Sequence, residues 1–225
     1  FMGERSRAKA VIFDYAGVLS LEQPRQSVQR MEGVSGIYGR RFQELYWGFR
    51  EPYDRGEFDG ACYWRMVGEA QGLTFSEEQM RKLVAEDTLS WSHTNEPMLG
   101  WVQVLKFLGI RVGLLSNLGA ELRDHLRDRC EWIAGFDHST FSCEVGLVKP
   151  DGGIYRHCLK GLDAEPRETL FVDDREENVR AAAELGMRGV LFRGVEDLAS
   201  EIAGGVDLPV PLVADESPTR TKRGQ

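Results

Sequence analysis

One apolar run that ends in a single aspartate constrains the fold more than any other stretch of this chain. Residues 11–13 are β-branched or aromatic, as in a buried strand, and Asp14 follows them directly. Gly17, three residues later, allows the backbone to turn sharply and to approach a ligand closely. We therefore expect Asp14 at the carboxyl end of a strand, where open α/β sheets place their ligand crevice. An ordinary strand end with a solvated aspartate would give the same local pattern, so the rest of the chain must decide.

The stretch over residues 21–93 has helical periodicity and hardly any strand signal. Residues 40–49 place four apolar side chains on one helical face: Phe42, Leu45, Tyr46 and Phe49. Residues 58–70 repeat this pattern less regularly, and Ser76 to Gln79 form a capping-box pattern that opens a third helix. We interpret this stretch as an inserted helical bundle whose aromatic residues form mainly its own core.

From residue 94 onwards, short apolar strands alternate with amphipathic helices. The pattern predicts strands at 111–115, 140–143, 169–172 and 189–192, and helices at 98–108, 119–128, 151–161, 176–185 and 195–203. Such alternation produces right-handed βαβ units and a parallel sheet. We therefore predict an α/β fold with a doubly wound parallel sheet over residues 9–20 and 94–204. The α-helical cap is expected over residues 21–93, and a disordered tail over residues 205–225.

Polar side chains follow three of the predicted strands and one loop: Asp14, Ser116 with Asn117, Lys149, and Asp173 with Asp174. Because the carboxyl ends of parallel strands share one edge of a sheet, these groups are expected to meet there. Carboxylates from two strands suit one hard cation such as Mg²⁺. A serine hydroxyl, backbone N–H groups and a lysine suit a phosphoryl group, which leaves Asp14 free to act as a nucleophile.

Each of these pieces taken alone has an ordinary structural explanation. An Asp-Asp pair is usually a solvated turn or a helix cap, Ser-Asn after a strand is usually turn chemistry, and a lysine before a proline is usually exposed. Their order and spacing together favour a shared site.

The sequence resembles the haloacid dehalogenase-like hydrolase superfamily over nearly its whole length. Four stretches carry the resemblance: residues 13–19 (FDYAGVL), 114–117 (LLSN), 148–155 (VKPDGGIY) and 170–178 (LFVDDREEN). The last two, with their separation, are the most specific. Within the superfamily the sequence is most similar to small phosphatases with a helical cap inserted after the first strand. That group includes the phosphatase-like domain found beside some epoxide hydrolases.

The resemblance implies a phosphate site and its chemistry. Asp14 would be the nucleophile that becomes a phospho-aspartate. Ser116 would hydrogen-bond the transferring phosphoryl group, with the backbone N–H of Asn117 beside it, and Lys149 would stabilise the charge shared by Asp14 and phosphate.

The resemblance also implies a Mg²⁺ site in the same place. Asp174 would be the main acidic ligand after Asp14, and Asp173 would either bind the ion or support the residues that do. The backbone carbonyl of Ala16 would complete the site, since a carbonyl is present whatever the side chain.

Ala16 is also the one important departure from the family pattern. The phosphatases usually carry a second aspartate at this position, which protonates the leaving group and later activates water. Losing a positioned acid or base typically costs about 10²–10⁴-fold in rate. One interpretation is a working phosphatase whose acid comes from the cap, the substrate or water, and His93 near the junction of cap and core is a candidate.

Three other interpretations remain open. A 2-haloacid dehalogenase would also lack the second aspartate, but the acidic pair at Asp173 and Asp174 argues against it. A phosphonoacetaldehyde hydrolase would need a cap lysine, and Lys82 is the only lysine in the insertion. The last interpretation is a catalytically inactive fold that is retained to bind a phosphate compound or a protein. In the cap, Arg50 and Arg55 are candidates to meet an anionic substrate.

Net charge, apolar runs and cysteine spacing limit the kinds of partner and site that we expect for this chain. A net charge of −8 argues against general binding to nucleic acid or to anionic membranes, and no apolar run reaches the length of a membrane span. The four cysteines have no spacing typical of a disulfide framework or a zinc site. We expect a cytoplasmic monomer or homodimer that hydrolyses a small phosphorylated metabolite, a phosphate monoester, with Mg²⁺ through phospho-Asp14.

Overall fold

The computed structural model describes residues 8–212, and its centre is a five-stranded parallel sheet. The strands are β1 (Ala10–Phe13), β2 (Arg111–Ser116), β3 (His138–Phe141), β4 (Thr169–Asp173) and β5 (Arg188–Leu191). Their order in the sheet is β3-β2-β1-β4-β5, and every pairing is parallel. The chain therefore winds outwards from β1 in both directions, which confirms the predicted α/β fold. The crevice of such a sheet lies where the winding reverses, at the carboxyl end of β1.

Five α-helices form the insertion, within residues 21–93. They are α1 (Arg25–Ser35), α2 (Gly39–Gly48), α3 (Arg50–Asp54), α4 (Gly60–Glu69) and α5 (Glu77–Ser90). Their buried side chains form one cluster that includes Phe42, Tyr63 and Trp64, and α5 begins with the predicted capping box at Ser76. The sequence pattern did not predict α1 or α3. The buried face of α1 includes Ser27 and Ser35, which break the apolar periodicity, and α3 is a single short helix.

Six α-helices follow within residues 94–212, one before β2 and the others after it. They are α6 (Glu96–Phe107), α7 (Ala120–Arg129), α8 (Ser142–Val145), α9 (Gly152–Gly161), α10 (Glu176–Glu184) and α11 (Val195–Gly205). They cover both faces of the sheet, since Val11 and Phe13 pack in a cluster with residues of α6 and α11, whereas Ala10 and Ile12 pack with residues of α9 and α10. The third strand lies two residues earlier than predicted, because α8 begins at Ser142.

Two adjacent chain crossings join the insertion to the sheet. Leu21 N–H donates to the carbonyl of His93 at 2.7 Å, and Asn95 N–H donates to the carbonyl of Leu19 at 2.8 Å. A third contact is made away from these crossings, because Glu121 of α7 accepts from Tyr53 OH at 2.8 Å and from Gly60 N–H at 2.6 Å. These contacts seat the helical insertion over the carboxyl edge of the sheet.

The first residues of the predicted tail pack on the sheet domain. Val206 is buried, Leu208 contacts the cluster around Phe13, and the indole N–H of Trp101 donates to the carbonyl of Pro209 at 2.8 Å. The rest of the predicted tail, residues 213–225, lies outside the described residues, as do residues 1–7. Within residues 8–212, no helix combines the length and the apolar character that a membrane crossing requires.

A glycine pair tests the contact between the insertion and α7. A Cβ at Gly119 would overlap the Tyr53 ring, whereas a Cβ at Gly100 in α6 would meet no atom within 4 Å. We expect Gly119→Ala to lower the free energy of unfolding by about 1–3 kcal/mol, because the ring must move. Gly100→Ala should leave it unchanged or raise it by up to about 1 kcal/mol, since alanine favours helix. Urea unfolding of both variants measures the difference, and equal effects would contradict the packing described here.

Candidate active site

Asp14 follows β1 directly, at the point where the winding of the sheet reverses. It is 5% exposed and lies between the ends of β2 and β4. The next residues form a wide turn, closed by Ser20 N–H donating to the carbonyl of Tyr15 at 2.8 Å. Gly17 takes a φ of 77° in this turn, a conformation that glycine adopts without a steric penalty. The turn carries the chain out of the sheet and leaves the Asp14 carboxylate facing the crevice.

Lys149 joins the ends of β1 and β4 through its side chain. Its Nζ lies 2.8 Å from Asp14 Oδ1 and 2.6 Å from Asp173 Oδ2, and all three side chains are buried. Asn117 at the end of β2 fixes the Lys149 backbone, because its Nδ2 donates to the lysine carbonyl at 3.0 Å and its Oδ1 accepts from the lysine N–H at 2.8 Å. The structure therefore brings together the polar groups that the sequence predicted at one edge. The side-chain role of Asn117 had no local signal in the sequence.

Asp173 is fully engaged by hydrogen bonds. Its Oδ1 accepts from Arg175 N–H at 2.9 Å and from Asn178 Nδ2 at 3.0 Å, and its Oδ2 accepts from Lys149 Nζ and, at 3.1 Å, from Asn178 Nδ2. A carboxylate has about four lone-pair positions, and here four hydrogen bonds use them. Asp173 thus orients Lys149. Asn178, which no sequence pattern indicated, lies in the first turn of α10 and holds Asp173 in place.

Burial, with a contribution from neighbouring carboxylates, shifts the pKa values of this site. Burial raises the pKa of Asp14 to about 7, and the negative charges of Asp173 and Asp174 add to the rise, while Lys149 opposes it. Burial also raises the pKa of Asp174. The pKa of Lys149 is shifted upward despite its burial, because both Asp14 and Asp173 favour its charged form.

The same carboxylates create a place for a cation. Oxygen atoms of Asp14, Asp173 and Asp174 lie within 4.8 Å of one another. Since Asp173 is engaged elsewhere, Asp14 and Asp174 are the side chains with oxygens to offer, and hard divalent cations prefer such ligands. A Cβ on Gly17 would lie 2.6 Å from Asp174 Oδ2, so the turn that carries Ala16 packs directly against this carboxylate.

Ser116 supplies a buried polar atom without a partner. Its Oγ forms no hydrogen bond within the described residues, although the side chain is completely buried at the end of β2. Leaving a buried hydroxyl unpaired costs about 1–3 kcal/mol. The position of this hydroxyl at the sheet edge fits a ligand group that would complete its hydrogen bonding.

A cleft of about 900 Å³ opens above these groups, between the sheet edge and the insertion. Its floor includes Asp14, Ala16, Asn117, Lys149 and Asp174, and its opposite wall includes Gln23, Trp47, Arg50, Asp54 and Trp91. The crevice expected at this edge is therefore present, with residues of both parts of the chain around it.

The cap residues proposed from the sequence fall into two groups. Arg50 lines the cleft, whereas Arg55 is not among the residues that line it and forms ion pairs with Glu51 and Glu57. His93 is exposed and is not among the residues that line the cleft. Lys82 is 61% exposed and pairs with Glu78 at 2.7 Å, so no cap lysine of the described residues reaches the cleft.

Comparison with known proteins places this architecture in a family. The family model described as haloacid dehalogenase-like hydrolase matches residues 8–186. The crystal structure of a HAD family enzyme from Bacteroides thetaiotaomicron superimposes with a TM-score of 0.71 at 21% identity, covering 87% of this chain and 98% of that one. The same enzyme in complex with magnesium and inorganic phosphate gives a TM-score of 0.67 at 20% identity, covering 82% of this chain and 93% of that one.

Two curated relatives are similar in sequence. Bifunctional epoxide hydrolase 2 of Sus scrofa is 31% identical over 218 residues, which cover 86% of this chain and 38% of that protein. A sesquiterpene phosphatase of Aspergillus oryzae is 32% identical over 183 residues, which cover 81% of this chain and 88% of that protein. The chain thus spans well under half the length of the epoxide hydrolase and most of the length of the phosphatase.

The raised pKa of Asp14 predicts a pH-dependent gain in stability when the carboxylate is removed. A folded-state pKa of about 7, above the ordinary 3.8, stabilises the fold below about pH 4, and this contribution is lost as the pH rises through 7. Asparagine does not ionise. The free energy of unfolding of Asp14→Asn, relative to that of wild type, should therefore rise by about 1 kcal/mol or more from pH 5 to pH 8.

Urea unfolding in the presence of chelator at the two pH values measures this gain. The matched control is Asp128→Asn, which removes an exposed carboxylate from α7. Equal pH dependence in both variants and wild type would contradict a raised pKa of Asp14 in the folded protein.

Proposed function

The chain belongs to the haloacid dehalogenase-like hydrolases, and from this membership we propose that it is a Mg²⁺-dependent phosphatase acting through phospho-Asp14. Its substrate would be a small phosphate monoester. The observation that carries the proposal is the buried Lys149 ammonium between Asp14 and Asp173, with the Asp174 carboxylate beside them. These groups would supply a nucleophile, a cation for phosphoryl oxygens and an acidic ligand pair for a metal at one edge of the sheet.

Asp14 and Asp174 would hold the ion, together with the backbone carbonyl of Ala16 in the intervening turn. Asp173 would support the site by holding Lys149. When bound, Mg²⁺ would neutralise charge on the phosphoryl oxygens and favour the ionised form of Asp14. The place of the Asp174 carboxylate beside Asp14 and the buried Ser116 hydroxyl, which has no partner within the described residues, support this assignment.

The reaction would proceed in two displacements. Asp14 would attack phosphorus and release the alcohol, and water would then attack phosphorus to free Asp14 and inorganic phosphate. Lys149 and the Ser116 hydroxyl would stabilise the negative charge on the transferring group, and Asn117 would keep Lys149 in position. The insertion above the cleft would limit access of bulk water during the first displacement.

The relatives favour this reaction over the alternatives. This chain aligns with most of the length of the sesquiterpene phosphatase, and the Bacteroides enzyme binds magnesium and inorganic phosphate. An acidic pair at Asp173 and Asp174 has no role in displacement of a halide by a lone aspartate. A Schiff-base mechanism would need a cap lysine at the cleft, and Lys82 points elsewhere with its carboxylate partner.

A paired substrate screen tests the proposed reaction. Phosphate esters and 2-haloacids are incubated with wild type and with Asp14→Asn, in Mg²⁺ and in excess chelator. We expect phosphate release only in Mg²⁺, reduced by at least about 10³-fold in the variant because the nucleophile is gone. Halide release that survives the chelator would indicate a dehalogenase, and binding of phosphate without turnover of any ester would indicate a binding protein.

Ser116→Ala tests the phosphoryl contact separately from the nucleophile. Loss of one hydrogen bond to the developing charge should lower kcat by about 10–10³-fold. It should not lower the free energy of unfolding, because the Ser116 hydroxyl has no partner among the described residues to lose. Steady-state kinetics and urea unfolding are measured on the same preparation. A stable variant with unchanged kcat would contradict the role assigned to Ser116.

A further inference from the structure

We propose that Asp54, at the end of α3, is the general acid and base that Ala16 does not supply. The inference rests on the proposed phosphatase function. Asp54 belongs to the insertion, yet it lines the same cleft as Asp14 and Lys149. It faces the strand ends from the opposite wall, where the alcohol part of a phosphate ester bound at Asp14 would lie.

A hydrogen-bonded link fixes Asp54 over the carboxyl end of β2. Ser142 Oγ, at the start of α8, donates to the Asp54 carbonyl at 2.5 Å and accepts from Leu118 N–H at 2.9 Å. Leu118 comes two residues after Ser116, the candidate phosphoryl contact. One side chain therefore connects the Asp54 backbone to the loop that carries the phosphate site, so Asp54 is positioned by the core as well as by the insertion.

The Asp54 carboxyl is buried but only partly neutralised. Arg50 Nε lies 3.3 Å from its Oδ1, yet this oxygen forms no hydrogen bond of good geometry within the described residues. Arg50 Nη1 is bonded instead to Asp87 Oδ2 at 2.7 Å. One guanidinium thus serves two carboxylates, and the one with the better hydrogen bond is Asp87. Asp54 is left as the weaker partner, and its Oδ1 accepts no hydrogen bond within the described residues.

This environment favours proton exchange near neutral pH. Burial raises the pKa of Asp54 to about 6; Arg50 opposes the rise and Asp87 adds to it. The charged or titratable groups that face Asp54 from its own and neighbouring elements are Arg50, Tyr63, Asp87, Cys143 and Arg175. A carboxyl with such a pKa can donate a proton in one step and accept one in the next.

Other carboxylates around the cleft are less suited to the role. Glu51 and Glu177 are exposed and each forms an ion pair with an arginine, and Glu22 is exposed. Among the described residues that line the cleft, Asp54 is the one buried carboxylate outside the cluster around Lys149.

The proton transfers balance over the two displacements. In the first, the bond from phosphorus to the ester oxygen breaks as Asp14 bonds to phosphorus, and the ester oxygen takes both electrons of the broken bond and the proton of Asp54. In the second, the Asp54 carboxylate takes a proton from the water that attacks phosphorus. The bond from phosphorus to Asp14 then breaks, and both carboxyl groups return to their starting forms.

The first test compares two leaving groups. p-Nitrophenolate is stable enough to leave as an anion, whereas an alkoxide must be protonated as it leaves. In Asp54→Asn we expect kcat/KM to fall about 10²–10⁴-fold for an alkyl phosphate and less than about 10-fold for p-nitrophenyl phosphate. Because kcat/KM covers only steps up to alcohol release, the later water attack does not affect it. The control is Glu57→Gln, an exposed carboxylate three residues further along the insertion that does not line the cleft, and both of its values should stay within about 2-fold of wild type.

Equal losses on the two esters would overturn the role of Asp54 and leave the phosphatase proposal standing. Phosphate release from the wild type that is absent, or that persists in Asp14→Asn, would instead overturn the phosphatase itself. Ala16→Asp adds a carboxyl to the cleft floor, so the double variant with Asp54→Asn should regain at least about 10-fold on the alkyl ester. No regain, from a double variant that unfolds at the wild-type urea concentration, counts against Asp54.

A titration without turnover provides an independent measurement. Carbon-13 resonances of side-chain carboxyls are followed against pH in chelator, in wild type and in Asp54→Asn. The resonance that is missing from the variant should titrate near pH 6 in wild type. A midpoint at the ordinary value for aspartate, about 4, would contradict the proposal.

Discussion

The contact of one buried ammonium with two carboxylates holds the site together. Lys149 lies in the loop before α9, and its partners Asp14 and Asp173 lie at the ends of two neighbouring strands. Without the lysine, carboxylate oxygens within 4.8 Å of one another would repel in a buried setting. Two amide side chains support the contact, since Asn117 fixes the lysine backbone and Asn178 fixes Asp173. The sheet positions the strand ends, and this ion-pair network sets which oxygens remain available to ligands.

The sequence predicted the parallel sheet and the meeting of its polar strand ends, because alternation of strands with helices determines which ends share an edge. It did not predict which atoms bond there. Asn117 contacts a backbone 32 residues away, and no local pattern indicates such a pairing. Helix α1 was also missed, since serines occupy part of its buried face. Local periodicity thus reveals elements and their ends, whereas partners distant in sequence need the folded geometry.

Some aromatic residues of the insertion lie in its core and others line the cleft, and helical periodicity does not distinguish the two groups. Tyr46, Tyr53 and Trp64 are buried in the cluster of the helical bundle, as expected, while Trp47 lines the cleft. Arg50 lies among the buried rings, about 5 Å from the centres of Tyr46 and Tyr53. A guanidinium in such a place needs carboxylate partners. The bundle meets that need with Asp87 and Asp54, and so carries an acidic side chain to the wall of the cleft.

An acid on the insertion would have a different consequence from an acid at position 16. A carboxylate on the turn after β1 would be present at the phosphate site whatever the position of the helices. Asp54 depends instead on the seating of α3, through the bond from Ser142 and the bond from Tyr53 to Glu121. Leaving-group protonation would then occur only with the insertion closed over the substrate, when bulk water is excluded. Placing the acid there would couple the first chemical step to closure, and alanine at position 16 would keep the open site from carrying it out.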